Sequence, residues 1–112
     1  MPATAPLPAW ALAATWSSVT RTAAELSIVC DVPGPPGVQR SGPWRALEVL
    51  GPLDHGAVGI LRDIAEPLAA AGISLFAIST FDTDYVLVPA DRVAAAAAAL
   101  RRAGHALETD AS

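Results

Sequence analysis

The order of apolar and polar positions divides the chain into a short front part and a longer back part. Two β-branched stretches, at residues 16–22 and 25–31, predict a β-hairpin, and residues 9–14 can form a short helical turn before it. The stretch VPGPPGVQRSGP that follows is dense in proline and glycine, which do not sustain a strand ladder. We therefore expect three parts: a front segment at 1–33, a loop at 34–43 and a compact domain at 44–109.

The back part alternates between strand-like and helix-like patterns. Residues 44–51 alternate as a strand does, whereas the apolar positions from Ala57 onward follow helical spacing as far as Gly72, a typical helix end. Pro67 lies inside this helix and removes the amide that would bind the carbonyl of Asp63. We expect the helix to kink or tighten near Asp63.

Two strands and a second helix complete the pattern. Residues 73–80 and 84–89 are apolar and β-prone. Asp91 is expected to cap a second helix that Gly104 ends, and residues 105–109 can form a last strand. The order βαββαβ predicts an α+β, ferredoxin-like domain whose helices cover one face of an antiparallel sheet, with His105 complementing the dipole of the second helix.

The bend between the last two long strands has an unusual composition. Its sequence STFDTD contains hydroxyl and carboxylate groups but no glycine or proline, which tight hairpins usually recruit. Oxygen acceptors gathered at a strand end suggest either a self-organised turn or a place where a cationic group binds.

Charge and composition exclude several classes of function. The 112 residues carry a net charge of −4, and the scattered basic residues form no positive face for nucleic acid. The alanine run in the second predicted helix is too short to span a bilayer. Cys30 is the only cysteine, which excludes an intrachain disulfide and a cysteine-based zinc site. We expect a soluble cytoplasmic protein without a cofactor, a metal site or a membrane partner.

The back part resembles a known family in its residues. The stretch GPLDHGAVGILRDIAEPLAAAGISLFAISTFDTDYVLV resembles an ACT domain, and more closely the small ACT-like proteins related to aspartate-kinase regulatory domains and to CASTOR-type arginine sensors. The front stretch WSSVTRTAAELSIVC resembles part of a preceding ACT-like unit, so we expect a partial N-terminal ACT-like hairpin. The resemblance implies a non-catalytic regulatory module that binds a free amino acid at an interface between two ACT units.

A zwitterionic ligand suits the chemistry of two segments. Amides at the start of the first long helix could bind a carboxylate, and oxygens of the bend could bind an ammonium group. The candidate ligand-binding residues in these segments are Asp54, His55, Gly56, Ala57, Val58, Gly59, Thr80, Phe81, Asp82 and Asp84. The resemblance adds Ser18 and Val19 of the front hairpin.

Several of these residues also have ordinary structural interpretations. Asp54 is equally suited to cap the helix, and Asp84 could organise the bend through an Asx-type hydrogen bond. Asp82 could be a solvated turn residue, and His55 a surface loop residue. No pattern of metal ligands or of catalytic residues is present in the sequence.

The partners expected are an amino acid and a second copy of the chain. A single ACT unit leaves sheet edges that need covering, which favours a homodimer. The alternatives are a protein–protein association module without ligand, and a small enzyme on the same fold in which His55 would be the base.

Overall fold

The structure, a computed structural model, describes residues 1–49 and 59–107. The chain divides into two compact units, Met1–Ser41 and Gly42–Ser112. The boundary between them falls inside the loop expected at residues 34–43. Parts of the predicted first strand, first helix and last strand lie outside the described residues.

Unit 1 contains a short helix and a two-stranded antiparallel sheet, as the sequence predicts. Its elements are α1 (Ala9–Leu12), β1 (Ser17–Arg21) and β2 (Leu26–Cys30). The first residues of the chain lie along β2, where the Met1 ammonium donates to the Leu26 carbonyl at 3.1 Å and Leu26 N–H donates to the Met1 carbonyl at 2.9 Å. The Arg21 guanidinium donates to the carbonyls of Ala3 and Ala5, which fixes the same segment on the hairpin.

The described elements of unit 2 follow the order βαββα, the first five elements of a ferredoxin-like domain. Antiparallel strands form a three-stranded sheet in the order β3-β5-β4. Its elements are β3 (Trp44–Glu48), α2 (Ile60–Ala70), β4 (Phe76–Ser79), β5 (Asp84–Pro89) and α3 (Val93–Arg102). This arrangement confirms the predicted α+β class.

The two helices cover one face of this sheet. Val86 and Val88 of the central strand are buried in one cluster with side chains of both helices. The buried members of the cluster are Leu68, Ile73, Val86, Val88, Ala96 and Leu100. On the opposite face, Trp44 of β3 and Phe76 of β4 contact each other edge-on, with ring centroids 4.8 Å apart.

Both helices end in the same hydrogen-bond motif, in which a glycine with positive φ follows the last turn. Gly72 (φ 74°) donates to Ala69, and Ile73 N–H donates to the Leu68 carbonyl at 3.0 Å. This is a Schellman motif, and Ile73 and Leu68 also share the core, as the motif favours. The predicted strand 73–80 therefore begins late, at Phe76, because the amide of Ile73 completes the end of α2.

Two predictions for the later elements are corrected, the cap of α3 and the last strand. Asp91 does not cap α3, because a 3-10 turn over Ala90–Arg92 precedes this helix and its N-cap, Arg92, makes no side-chain cap hydrogen bond. Helix α2 continues as one α-helix through Pro67. Residues 105–107 are not part of a strand, and residues 108 and 109 lie outside the described residues.

Candidate functional site

One end of the unit 2 sheet gathers the elements expected to bind a ligand. Strands β3 and β4 run parallel to each other, so both end where the antiparallel β5 begins. Val49 N–H donates to the Asp84 carbonyl at 2.9 Å, which joins the end of β3 to the start of β5. Helix α2 connects the end of β3 to the beginning of β4. It therefore runs back across the sheet, and its first turn lies toward this end.

The turn between β4 and β5 is organised by a threonine hydroxyl. The Thr80 hydroxyl donates to the Thr83 carbonyl and accepts from the Thr83 amide, both at 3.1 Å. Thr80 N–H donates to the same carbonyl at 2.8 Å. In the described part of the chain no residue other than glycine has positive φ, so this turn does not require glycine.

The predicted acceptors on this turn differ in exposure. Phe81, at the tip, is 81% exposed, and Asp82 beside it is also exposed. Asp84 is half-buried at the start of β5. Among the hydrogen bonds between described residues, none involves the carboxylate of Asp82 or Asp84. Thr80, by contrast, uses its hydroxyl within the turn.

Helix α2 receives no side-chain cap from its own N-cap residue. Its N-cap is Gly59, with φ 85°, which makes no side-chain cap hydrogen bond; its carbonyl accepts from Asp63 N–H at 2.9 Å. Arg62 pairs with Asp63 at 3.5 Å and with Glu66 at 4.0 Å, all three side chains being largely exposed. Uncapped amides at a helix start suit an anionic group.

The structure brings together only some of the predicted site residues. Thr80, Phe81, Asp82 and Asp84 share the β4–β5 end of the sheet, and Gly59 begins α2. Ser18 and Val19 lie in β1 of unit 1, half-buried and 40% exposed respectively. The other predicted site residues lie outside the described residues: Asp54, His55, Gly56, Ala57 and Val58.

The described residues also bear on metal binding and membrane insertion. Within residues 1–49 and 59–107, no three His, Cys, Asp or Glu side chains come together as metal ligands would. No helix in the same ranges combines the length and the apolar character that crossing a membrane requires.

The sequence interpretation missed the role of His105. Its Nε2 lies 2.9 Å from the carbonyl oxygen of Asp63, so the ring contacts α2 and does more than complement the dipole of α3. A signal was present, since a proline inside a helix frees the carbonyl four residues earlier. The sequence alone could not indicate which side chain would reach that carbonyl.

Comparison with known proteins places this geometry in a family. A model of the ACT domain matches residues 39–102, more than half of the chain. A second model, which describes an N-terminal domain, matches residues 2–34. A crystal structure of a protein from Agobacterium tumefaciens has a TM-score of 0.92 at 35% identity, covering 100% of this chain and 84% of that one.

Curated relatives match a smaller part of the chain. The cytosolic arginine sensor for mTORC1 subunit 1 from Homo sapiens is 45% identical over 60 residues, which is 53% of this chain and 18% of the sensor. The Mus musculus sensor is 47% identical over 51 residues, or 45% of this chain and 15% of the sensor. The chain thus spans less than a fifth of these relatives. From the ACT model and the matching geometry, the chain belongs to the ACT-domain family.

Proposed function

We propose that this protein is a non-catalytic regulatory module that binds a free amino acid at the end of the unit 2 sheet. The observation that carries the proposal is the half-buried carboxylate of Asp84 at the end of the sheet where β3 and β4 stop. The second feature is the start of α2, whose N-cap residue, Gly59, provides no side-chain cap. A zwitterion presents one group of each sign, so the two features complement it.

The ligand groups have distinct places in this proposal. The ligand carboxylate binds the amides at the start of α2 after Gly59, whose lack of a Cβ allows a close approach. The ligand ammonium binds Asp84, assisted by Asp82 at the exposed turn. Asp54, His55, Gly56, Ala57 and Val58 are proposed to contribute further contacts to the ligand.

Relatives support this assignment, since the curated proteins that match more than half of the chain are named as arginine sensors. A cytosolic location is proposed on the same basis. For a ligand of amino-acid size, efficiencies of about 0.5 kcal/mol per heavy atom correspond to micromolar to millimolar affinity. Such affinities suit a sensor that follows a metabolite pool.

Calorimetric titration and thermal-shift measurements with each standard amino acid test the proposal directly. At least one amino acid should bind saturably and raise the melting temperature. If none does while circular dichroism shows a folded protein, the binding function is excluded and an association module remains.

Substitution of the carboxylate tests where the ligand binds. Asp84→Asn should weaken binding of that amino acid about tenfold or more, because a charge-assisted hydrogen bond to the ammonium is worth about 1.5–3 kcal/mol. Asp91→Asn is the matched control: Asp91 is exposed and follows β5 at its opposite end. Equal affinities of the two variants would contradict the assignment of Asp84 while leaving the binding function intact.

The proposal includes a homodimer. Light scattering should give twice the 11.4 kDa mass of one chain. A monomer that still binds the amino acid would show that one chain holds the whole site.

A further inference from the structure

Helix α2 contains a defect that the chain repairs from a distant position. Pro67 has no N–H, so the carbonyl of Asp63, four residues earlier, loses its helical hydrogen bond. The His105 ring supplies a substitute, with Nε2 at 2.9 Å from this carbonyl oxygen. The two residues are 42 positions apart in the sequence.

The backbone of His105 is also held by hydrogen bonds to α3. Gly104 (φ 97°) donates to the Arg101 carbonyl at 3.0 Å, and His105 N–H donates to the Leu100 carbonyl at 2.9 Å. These bonds form the Schellman motif that ends α3. A single residue thus satisfies one carbonyl of each helix, with its amide on α3 and its ring on α2.

We propose that His105 is a latch, defined as the ring-to-carbonyl contact that holds residues 103–107 on α2 in place of the amide missing at Pro67. A carbonyl only accepts hydrogen bonds, so Nε2 carries the hydrogen and the neutral ring is the Nε2–H tautomer. Among the described residues, the Asp63 carboxylate pairs with Arg62, and Arg101 and Arg102 lie exposed in the last turn of α3, just before His105 in the sequence.

The latch gives the end of unit 2 a conformational function of its own. Leu107 packs against the core cluster, so the segment after α3 is held at two points, the ring of His105 and the side chain of Leu107. Loss of the ring contact removes one of these two points, so the segment opens at a lower free-energy cost than unfolding of the sheet and the buried cluster. The segment can therefore open without unfolding of the domain.

A double-mutant cycle tests the latch. His105→Ala should raise the unfolding equilibrium constant roughly fivefold, as expected for the loss of one hydrogen bond. In the Pro67→Ala background the restored amide binds Asp63, so the same change should cost less than about twofold. The substitution His105→Gln places a side-chain amide nitrogen near the position of Nε2, so this variant should keep most of the stability. Equal effects of His105→Ala in both backgrounds would overturn the proposal.

Two further measurements test the latch with Pro67 unchanged. One uses the wild-type chain and the other uses His105→Ala. Nitrogen NMR of the His105 ring should show the Nε2–H tautomer at neutral pH; the Nδ1–H tautomer would contradict the latch. In His105→Ala, hydrogen exchange at the amides of Gly104 and residue 105 should accelerate, while exchange in β5 stays unchanged. Unchanged exchange at all of these amides would also contradict it.

Discussion

Thr80 explains why the bend STFDTD contains no glycine. Its hydroxyl donates to the Thr83 carbonyl and accepts from the Thr83 amide, so one side chain does the work that turn-forming residues usually share. The Thr80 hydroxyl already makes hydrogen bonds within the turn, so one of the acceptors predicted for a ligand is not free to bind it. The carboxylates of Asp82 and Asp84 carry that part of the proposed site.

Removal of this hydroxyl should destabilise unit 2. Thr80→Val preserves the shape of the side chain but loses both of its hydrogen bonds, so the free energy of unfolding should fall by about 1 kcal/mol. Urea denaturation monitored by circular dichroism measures the change. Thr83→Val is the matched control, because Thr83 takes part in this turn through its backbone. A loss as large in the control as in Thr80→Val would contradict the role of the Thr80 hydroxyl.

The residue scale also shows the limit of prediction from sequence. Composition identified the bend as a place rich in oxygen and offered Asp84 as one possible organising residue, whereas in the structure the Thr80 hydroxyl makes the turn hydrogen bonds. Likewise, the freed carbonyl of Asp63 was evident from Pro67, whereas its partner, His105, was not. Local rules identify a group that needs a partner, and only the folded chain determines which distant side chain provides it.

At the scale of elements, α3 is an alanine helix because it lies close to the sheet. Ala96 is 0% exposed and belongs to the cluster formed with Leu68, Val86 and Val88. Its neighbour Ala95 is exposed. Because both residues are alanines within one helix, helix propensity is the same at the two positions. The same substitution at each therefore compares the effect of packing alone.

The contrast between buried Ala96 and exposed Ala95 gives a prediction about packing. Ala96→Leu should lower the free energy of unfolding by about 1–3 kcal/mol, because the larger side chain overfills a closely packed site. Ala95→Leu should change it by less than about 0.5 kcal/mol. Thermal or urea unfolding measures the stability of the two variants. Similar stabilities would mean that α3 is not closely packed at Ala96.

The sequence predicted the limits of an element correctly where no neighbouring helix end competed for its residues. Strand β5 (Asp84–Pro89) has the predicted limits, since its apolar run is bounded on both sides. Strand β4 begins three residues later than expected, because Ile73 completes the Schellman motif of α2. Helix α3 begins after Asp91, because a 3-10 turn intervenes. In both cases hydrogen bonding at a helix end overrides the propensity of the adjacent residues.

At the scale of the whole molecule, the two units differ in how much core they contain. Most of the buried apolar side chains belong to Gly42–Ser112, whereas Ala11 and Leu26 are those of Met1–Ser41. A two-stranded sheet is at best marginally stable alone, and three strands with a helix-covered face are far more stable. The ACT fold of this chain thus depends mainly on unit 2.

Separate expression of the units tests this difference. A fragment of residues 42–112 should give helical and strand circular dichroism, dispersed amide NMR signals and a cooperative thermal transition. A fragment of residues 1–41 should show none of these. An unfolded 42–112 fragment would show that unit 2 requires the front segment in order to fold, and would replace the proposed domain division at 1–33, 34–43 and 44–109 with a single cooperative unit.

The edge-on contact of Trp44 with Phe76 places one indole inside unit 2, while Trp10 and Trp16 belong to unit 1. The chain therefore carries its own fluorophores in both halves. Replacing Trp10 and Trp16 with phenylalanine leaves emission from β3 alone, and replacing Trp44 leaves emission from the front hairpin region. Fluorescence of these two variants would follow the melting of each half separately, without any external label.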